Sequence, residues 1–144
     1  MANTDTIKLL KECDAGTKMA VASIDEILEA VTNEDLRTLL SDNKKQHELL
    51  GDELHTLLTN SGSETQEPDV MAKSMSWVKT NMKLAMDKSD ATVADLITDG
   101  CNMGVKSLYR YLNEYSAADK LSQGLCVQIA SIEEKLAKDL RCYL

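Results

Sequence analysis

Phenylalanine is missing from this chain altogether, tryptophan and proline occur once each, and aromatics make up 3% of its 144 residues. Strands draw on aromatic and β-branched residues in period-two alternation, and no such alternation is sustained anywhere, which excludes a sandwich or barrel. With the one proline at Pro68, nothing else in the chain must interrupt a helix. The four cysteines, Cys13, Cys101, Cys126 and Cys142, are widely spaced with no CxxC, and this spacing does not form a zinc site. Cys13, Cys101 and Cys126 fall at or beside apolar helical positions and read as small hydrophobes, whereas Cys142, near the end, is expected to be exposed. Sixteen basic residues against 24 acidic ones give a net charge of −8, and no stripe of Lys and Arg interleaves with aromatics. Nucleic acid and anionic membrane surfaces, which both require positive charge, are therefore excluded as expected partners. No apolar run reaches the length of a membrane span, and Met1-Ala2-Asn3-Thr4-Asp5 lacks the basic and apolar start of a signal peptide, so the expected location is cytoplasmic. A glycine-rich phosphate loop is also missing: Gly100 and Gly104 lie four apart inside a helical pattern, where they permit close helix approach or leave room for Trp77.

What the chain does contain is helical periodicity. Ile7, Leu10, Asp14, Thr17, Val21, Ile24, Leu28 and Val31 recur at spacings of three and four and predict a helix from Thr6 to Val31. Thr32-Asn33-Glu34-Asp35 supplies a cap and an acidic first turn for a second, with Leu36, Leu40, Asn43, His47, Leu50, Leu54 and Leu57 inward. So short a link makes the two antiparallel neighbours. A polar break with Gly62 and Pro68 follows, then a shorter helical stretch from about Asp69 to Met86 with Met71, Met75, Met82 and Met86 on one side. That methionine stripe reads as a lid filling irregular gaps over the bundle. Asp87-Lys88-Ser89-Asp90 restarts the chain for a third long helix carrying Val93, Ile97, Gly100, Gly104, Leu108, Tyr111 and Tyr115, the tyrosines with Tyr109 packing one end of the core. Ser116-Ala117-Ala118-Asp119 starts a fourth, with Leu121, Leu125, Gln128, Ile132, Leu136, Leu140 and Tyr143 inward. The prediction is an all-α four-helix bundle in a single domain, residues 1–144. A connection of about 25 residues between the second and third long helices permits them to run parallel.

Asp14, Asn43, His47 and Gln128 stand on these seams near mid-height, where a plain bundle has leucine. One reading is a hydrogen-bonded polar layer that fixes helix register. The other is a reduced metal site on Asp14 and His47, two ligands where catalytic zinc sites use three. On the first reading His47→Leu is expected to be near neutral or stabilising; on the second it abolishes metal binding. His55, about two turns from His47, reads as an interface-edge or exposed residue, and Asp25-Glu26 and Glu133-Glu134 read as solvated faces.

Two long helices, a glycine-containing break, a short helix around Ser76-Trp77-Val78-Lys79 and two more long helices, with Cys101-Asn102-Met103-Gly104-Val105 and Leu108-Tyr109-Arg110-Tyr111 in the third, resemble a ferritin-like family of small bacterial four-helix proteins. That family is of unknown function and distantly related to rubrerythrins; the resemblance covers nearly the whole chain and implies a ferritin-like bundle. Di-iron chemistry in that superfamily needs a Glu from each of two helices and a Glu-x-x-His from each of the others. Here the matching frames read Asn43-Lys44-Lys45-Gln46 and Gln128-Ile129-Ala130-Ser131, with Val105 on the third helix and only Asp14 keeping a carboxylate. No Glu-x-x-His exists in the chain, so ferroxidase, peroxidase-like and oxygenase activities are not expected. The expectation is a non-catalytic, stress-associated structural or protein-interaction module without a cofactor, homo-oligomeric or bound to a protein partner. The alternative is a metal-binding protein.

Overall fold

The structure, a computed structural model, describes residues 3–63, 81 and 88–144. Among these residues it forms four long helices, α1 (Thr4–Leu28), α2 (Glu34–Asn60), α3 (Asp90–Glu114) and α4 (Lys120–Asp139), followed by a 3-10 turn at Leu140–Tyr143. Each helix begins at a residue suited to accept from its orphan amides: Asn3 accepts from the Thr6 N–H, Asn33 from Leu36, Ser89 from Thr92 and Asp119 from Ser122. Helix α2 ends in a Schellman motif around Gly62, at φ +73°, with the Ser63 N–H donating to Leu58 O at 2.9 Å and the Gly62 N–H to Thr59 O at 3.0 Å. Only glycine adopts that left-handed backbone without steric cost.

Hydrogen bonds between helix starts determine the topology. At one end the Asp90 carboxylate accepts from the Thr32 N–H and hydroxyl and from the Asn33 N–H, at 2.7–3.0 Å, so α2 and α3 begin side by side. At the other end Asn3 Nδ2 donates to Ala117 O, the Ala117 N–H to Asp5, and the Asp119 N–H to Thr6 Oγ1, so α1 and α4 begin together. Helices α1 and α4 therefore run one way and α2 and α3 the other. Ser61 and Ser89, the ends of the connection between α2 and α3, lie at opposite ends of the bundle, separated by the roughly 40 Å length of the 27-residue α2. This is the ferritin-like order. The predicted short helix of that connection, with Trp77 and the methionine stripe, lies outside the described residues.

The core falls into two clusters. One gathers Ile24, Ile27, Leu36, Leu40, Val93 and Leu140 near the starts of α2 and α3, and the other gathers Leu9, Leu10, Leu54, Leu58, Leu125 and Ile129 toward the starts of α1 and α4. Each fully buried Leu or Ile contributes about 1.5–3 kcal/mol relative to exposure. The predicted seams of α1 and α2 match the buried faces closely. On α4 the seam is displaced: Leu121 is 57% exposed and Ile132 only half-buried, while Ser122, Ile129 and Glu133 face inward. Apolar residues on both sides of the true face, together with polar Ser122 and Glu133 on it, shift the apparent stripe by one residue. Among the described residues, no helix is long and apolar enough to cross a membrane.

Candidate functional site

Two contacts set the register of α1 against α2: a Cβ at Gly51 would lie 3.2 Å from Thr17 Cγ2, and Lys44 is ion-paired with Asp25. His47 is therefore level with Val21 and Ala22 of α1. Asp14 lies seven or eight residues further along, roughly 11 Å away at the helical rise. The predicted Asp14 and His47 metal pair is not formed: Asp14, 1% exposed, is ion-paired with Lys18 at 3.1 Å one turn on in its own helix. The lysine's charge offsets that of the buried carboxylate and opposes a cation there. Gln128 is also corrected. It is exposed, because the inward face of α4 passes through Ile129 and Glu133 instead.

What the fold does bring together at mid-height is Asn43, His47 and Glu133, all buried. Asn43 Nδ2 donates to Ile132 O at 3.1 Å, tying α2 to α4. His47 Nδ1 lies 3.0 Å from Asn43 O one turn back. A carbonyl oxygen only accepts, so Nδ1 carries the proton, and in the neutral ring Nε2 presents a lone pair. Nε2 lies 3.6 Å from Glu133 Oε1, within ion-pair distance when the ring carries both protons and too long for a hydrogen bond. His47 Nε2, Glu133 Oε2 and Asn43 Oδ1 find no hydrogen-bond partner among the described residues.

Glu133 was read from the sequence as part of a solvated face with Glu134, and burial corrects that reading. The signal was present: Ser122, Leu125, Ile129, Glu133, Leu136 and Leu140 are spaced at three and four and form the buried face of α4. Its carboxylate rests on Gly104 of α3, where an added Cβ would come within 2.6 Å of Oε2 and 2.9 Å of Oε1. Gly104 thus makes room for Glu133, a use that the sequence had assigned to helix approach or to Trp77.

Above this pair, α1 and α3 part around a cavity of about 520 Å³. Among the described residues, Ala15, Ala20, Ile24, Ile97 and Leu108 form apolar walls, His47 and Glu133 the floor, and Glu12, Met19, Met103 and Tyr111 the more exposed rim. Partial burial, followed by the charge of nearby Glu12, pushes the Tyr111 phenol upward. Cys101 also lines the cavity; burial, then the Glu133 carboxylate, pushes its thiol up to about 12, so it stays protonated at neutral pH. Cys13 shares a buried hydrogen bond with Cys126, which together with burial pushes its thiol above the ordinary range, and Cys126 Sγ donates to Leu108 O at 3.5 Å. These three cysteines are the small core residues that the sequence predicted, and Cys142 and His55 are exposed as expected. Of the tyrosines, Tyr111 and Tyr115 stack at 6.3 Å between ring centroids while Tyr109 is 43% exposed, so only two of the three form the expected cluster.

At the level of His47 and Glu133, α3 offers Gly104 and α1 offers Ala20 and Ser23 to the cavity. Among the described residues, no group of three or more His, Cys, Asp or Glu side chains is placed to hold a metal ion. On the outer side, α2 and α4 form a second, shallow groove of Gln46, Leu49, Leu50, Val127, Gln128, Ser131 and Ile132. Leu49 is 71% exposed and Val127 40%, and none of these groove residues is charged.

No family model matches the chain, and no curated protein matches it. Two solved structures are similar in fold. A conserved hypothetical protein of Mycobacterium tuberculosis is 16% identical with a TM-score of 0.75, covering 100% of both chains. The Dps92 protein of Deinococcus radiodurans is 13% identical with a TM-score of 0.76, covering 97% of this chain and 86% of its own. Likeness at this identity establishes the fold.

Proposed function

We propose that this chain is a non-catalytic ferritin-like bundle that works as a self-associating structural module, with no di-iron chemistry. The observation that carries this reading is the uncharged groove on α2 and α4. In a chain with 28% charged residues, a groove lined by Leu49, Val127, Leu50 and Ile132 together with Gln46, Gln128 and Ser131 fits a protein contact better than a solvated surface. A second copy is the simplest occupant, since a two-fold contact buries the same apolar face twice and places like against like without charge repulsion. The mid-bundle layer supports the other half of the reading. A two-metal site needs four carboxylates and two imidazoles, and among the described residues this layer supplies one of each.

Leu49→Glu tests the association. Light scattering after size exclusion is expected to show a dimer or larger assembly for the parent chain and a monomer with unchanged helical content for the variant. A parent chain that stays monomeric at high micromolar concentration contradicts the proposal. A second reading, a metal-binding protein, moves from Asp14 and His47 to His47 and Glu133. One observation favours it: both side chains end in unsatisfied atoms at the floor of one cavity.

A further inference from the structure

Between α1 and α3, the cavity floor sets His47 Nε2 beside the Glu133 carboxylate, and among the described residues neither Nε2 nor Glu133 Oε2 has a hydrogen-bond partner. His47 Nδ1 donates to Asn43 O, so in its neutral form the ring offers a lone pair at Nε2, and 3.6 Å away Glu133 offers Oε1 and Oε2, the latter without a partner among the described residues. In that form two acceptors face one another at this distance, each largely removed from water, and the group that suits both is one with more than one N–H or O–H to give. Glu133 is held in that position by the carboxylate-shaped space over Gly104, and His47 by its own helix. The site is thus built, with its polar atoms aimed into a space of about 520 Å³, within the usual range for a small-molecule pocket.

We propose that this cavity binds a small apolar molecule carrying a primary ammonium head, seated on His47 Nε2 and Glu133, with its hydrocarbon body along Ala20, Ile24, Ile97 and Leu108. An ammonium nitrogen has three donors and no acceptor, so it hydrogen-bonds both floor atoms and neutralises the carboxylate. Anionic head groups meet Glu133 at the floor and Glu12 at the rim. A divalent metal finds one carboxylate and one imidazole, short of the three protein ligands of a catalytic zinc site. The wall is apolar on both helices because Ala15, Gly16 and Ala20 of α1 and Gly100 and Gly104 of α3 hold back from the space. This site is separate from the association groove on α2 and α4, and Leu49→Glu is expected to leave it intact.

The test is isothermal titration of the whole chain with n-octylammonium, n-octanol, n-octanoate and zinc ion. Octylammonium is expected to bind one per chain, about 10- to 100-fold more tightly than octanol, the range of one charge-assisted hydrogen-bonded contact, with octanoate weakest. Glu133→Gln keeps the shape, and in that variant the ammonium should bind no better than the alcohol. Glu133→Met, which removes the carboxylate and keeps the volume, serves as a second variant and should lose the same preference if Glu133→Gln folds poorly. Equal affinity for amine and alcohol in the parent chain, preference for octanoate, multiple weak equivalents insensitive to Glu133→Gln, or no binding at all would each overturn the proposal. One zinc per chain, lost in His47→Gln, would overturn it in favour of a metal site.

Discussion

Replacing Gly104 with alanine should change the sign of its effect according to what stands at position 133. In the middle of an exposed or open helix, Gly→Ala stabilises by about 1 kcal/mol because alanine loses less backbone freedom. Here the new Cβ would sit 2.6 Å from Glu133 Oε2, 2.9 Å from Oε1 and 3.0 Å from Cδ, closer than real Cβ atoms approach. The carboxylate is the far end of a flexible side chain, and the cavity beside it allows it to swing away, so the cost falls toward the lower end of the ~1–3 kcal/mol typical of overpacking. The two effects nearly cancel, and Gly104→Ala alone is expected to be neutral or to destabilise by about 1 kcal/mol. In a Glu133→Ala background the clash is gone, and the same substitution should stabilise by about 1 kcal/mol. Urea unfolding of the four proteins, followed by circular dichroism, measures the coupling directly as a double-mutant cycle. At a slope of about 2 kcal/mol/M, a coupling of 1–2 kcal/mol separates the midpoint shifts by about 0.5–1 M. Equal stabilisation in both backgrounds refutes the placement of the Glu133 carboxylate on α3, and with it the floor of the cavity.

His47→Leu, expected from the sequence to be near neutral if the layer is structural, should instead destabilise by about 1–3 kcal/mol, because it removes the Nδ1 hydrogen bond to Asn43 O and packs hydrocarbon against the buried Glu133 carboxylate in place of a polar ring. Adding Glu133→Met should restore or exceed parent stability in thermal melts, since apolar replacement of both members of a buried pair is often neutral or better. Asp90 gives a pH signature. Its hydrogen bonds from Thr32 and Asn33 hold its carboxyl below the ordinary value of 3.8, so the stability it adds is present above that value and lost as pH falls through the lower folded-state value. The melting-temperature gap between parent and Asp90→Asn should be constant above about pH 5 and close at lower pH; a gap that widens on acidification contradicts the bond set joining the starts of α2 and α3.

Much of this fold could be read directly from the sequence. Leucine and isoleucine at spacings of three and four determine the buried faces of α1 and α2, and Asn33, Ser89 and Asp119 stand where their helices begin. The direction of the crossover could not be read, because it depends on Asp90 meeting Thr32 and Asp119 meeting Thr6, contacts between residues far apart in sequence. The site was half legible. Asn43 and His47 were found because α2 is a clean leucine stripe interrupted by polar residues. Gln128 replaced Glu133 in the expected layer because α4 carries apolar Leu121, Val127 and Ile132 just off its buried face, and a charged residue beside a second glutamate reads as solvent-facing. Asp14 and His47 each belong on buried faces, but only the register of α1 on α2, set by Thr17 against Gly51, shows that they occupy different levels.

Whether the layer of His47 and Glu133 is a metal centre is decided by the metal content of the purified chain after equilibrium dialysis against Fe(II), Mn(II) and Zn(II), with Glu133→Gln beside it. Well below one metal per chain is expected in both proteins, with no ferroxidase turnover. One or two equivalents bound by the parent chain and lost from a folded Glu133→Gln variant would contradict it and make the layer of His47 and Glu133 a metal centre.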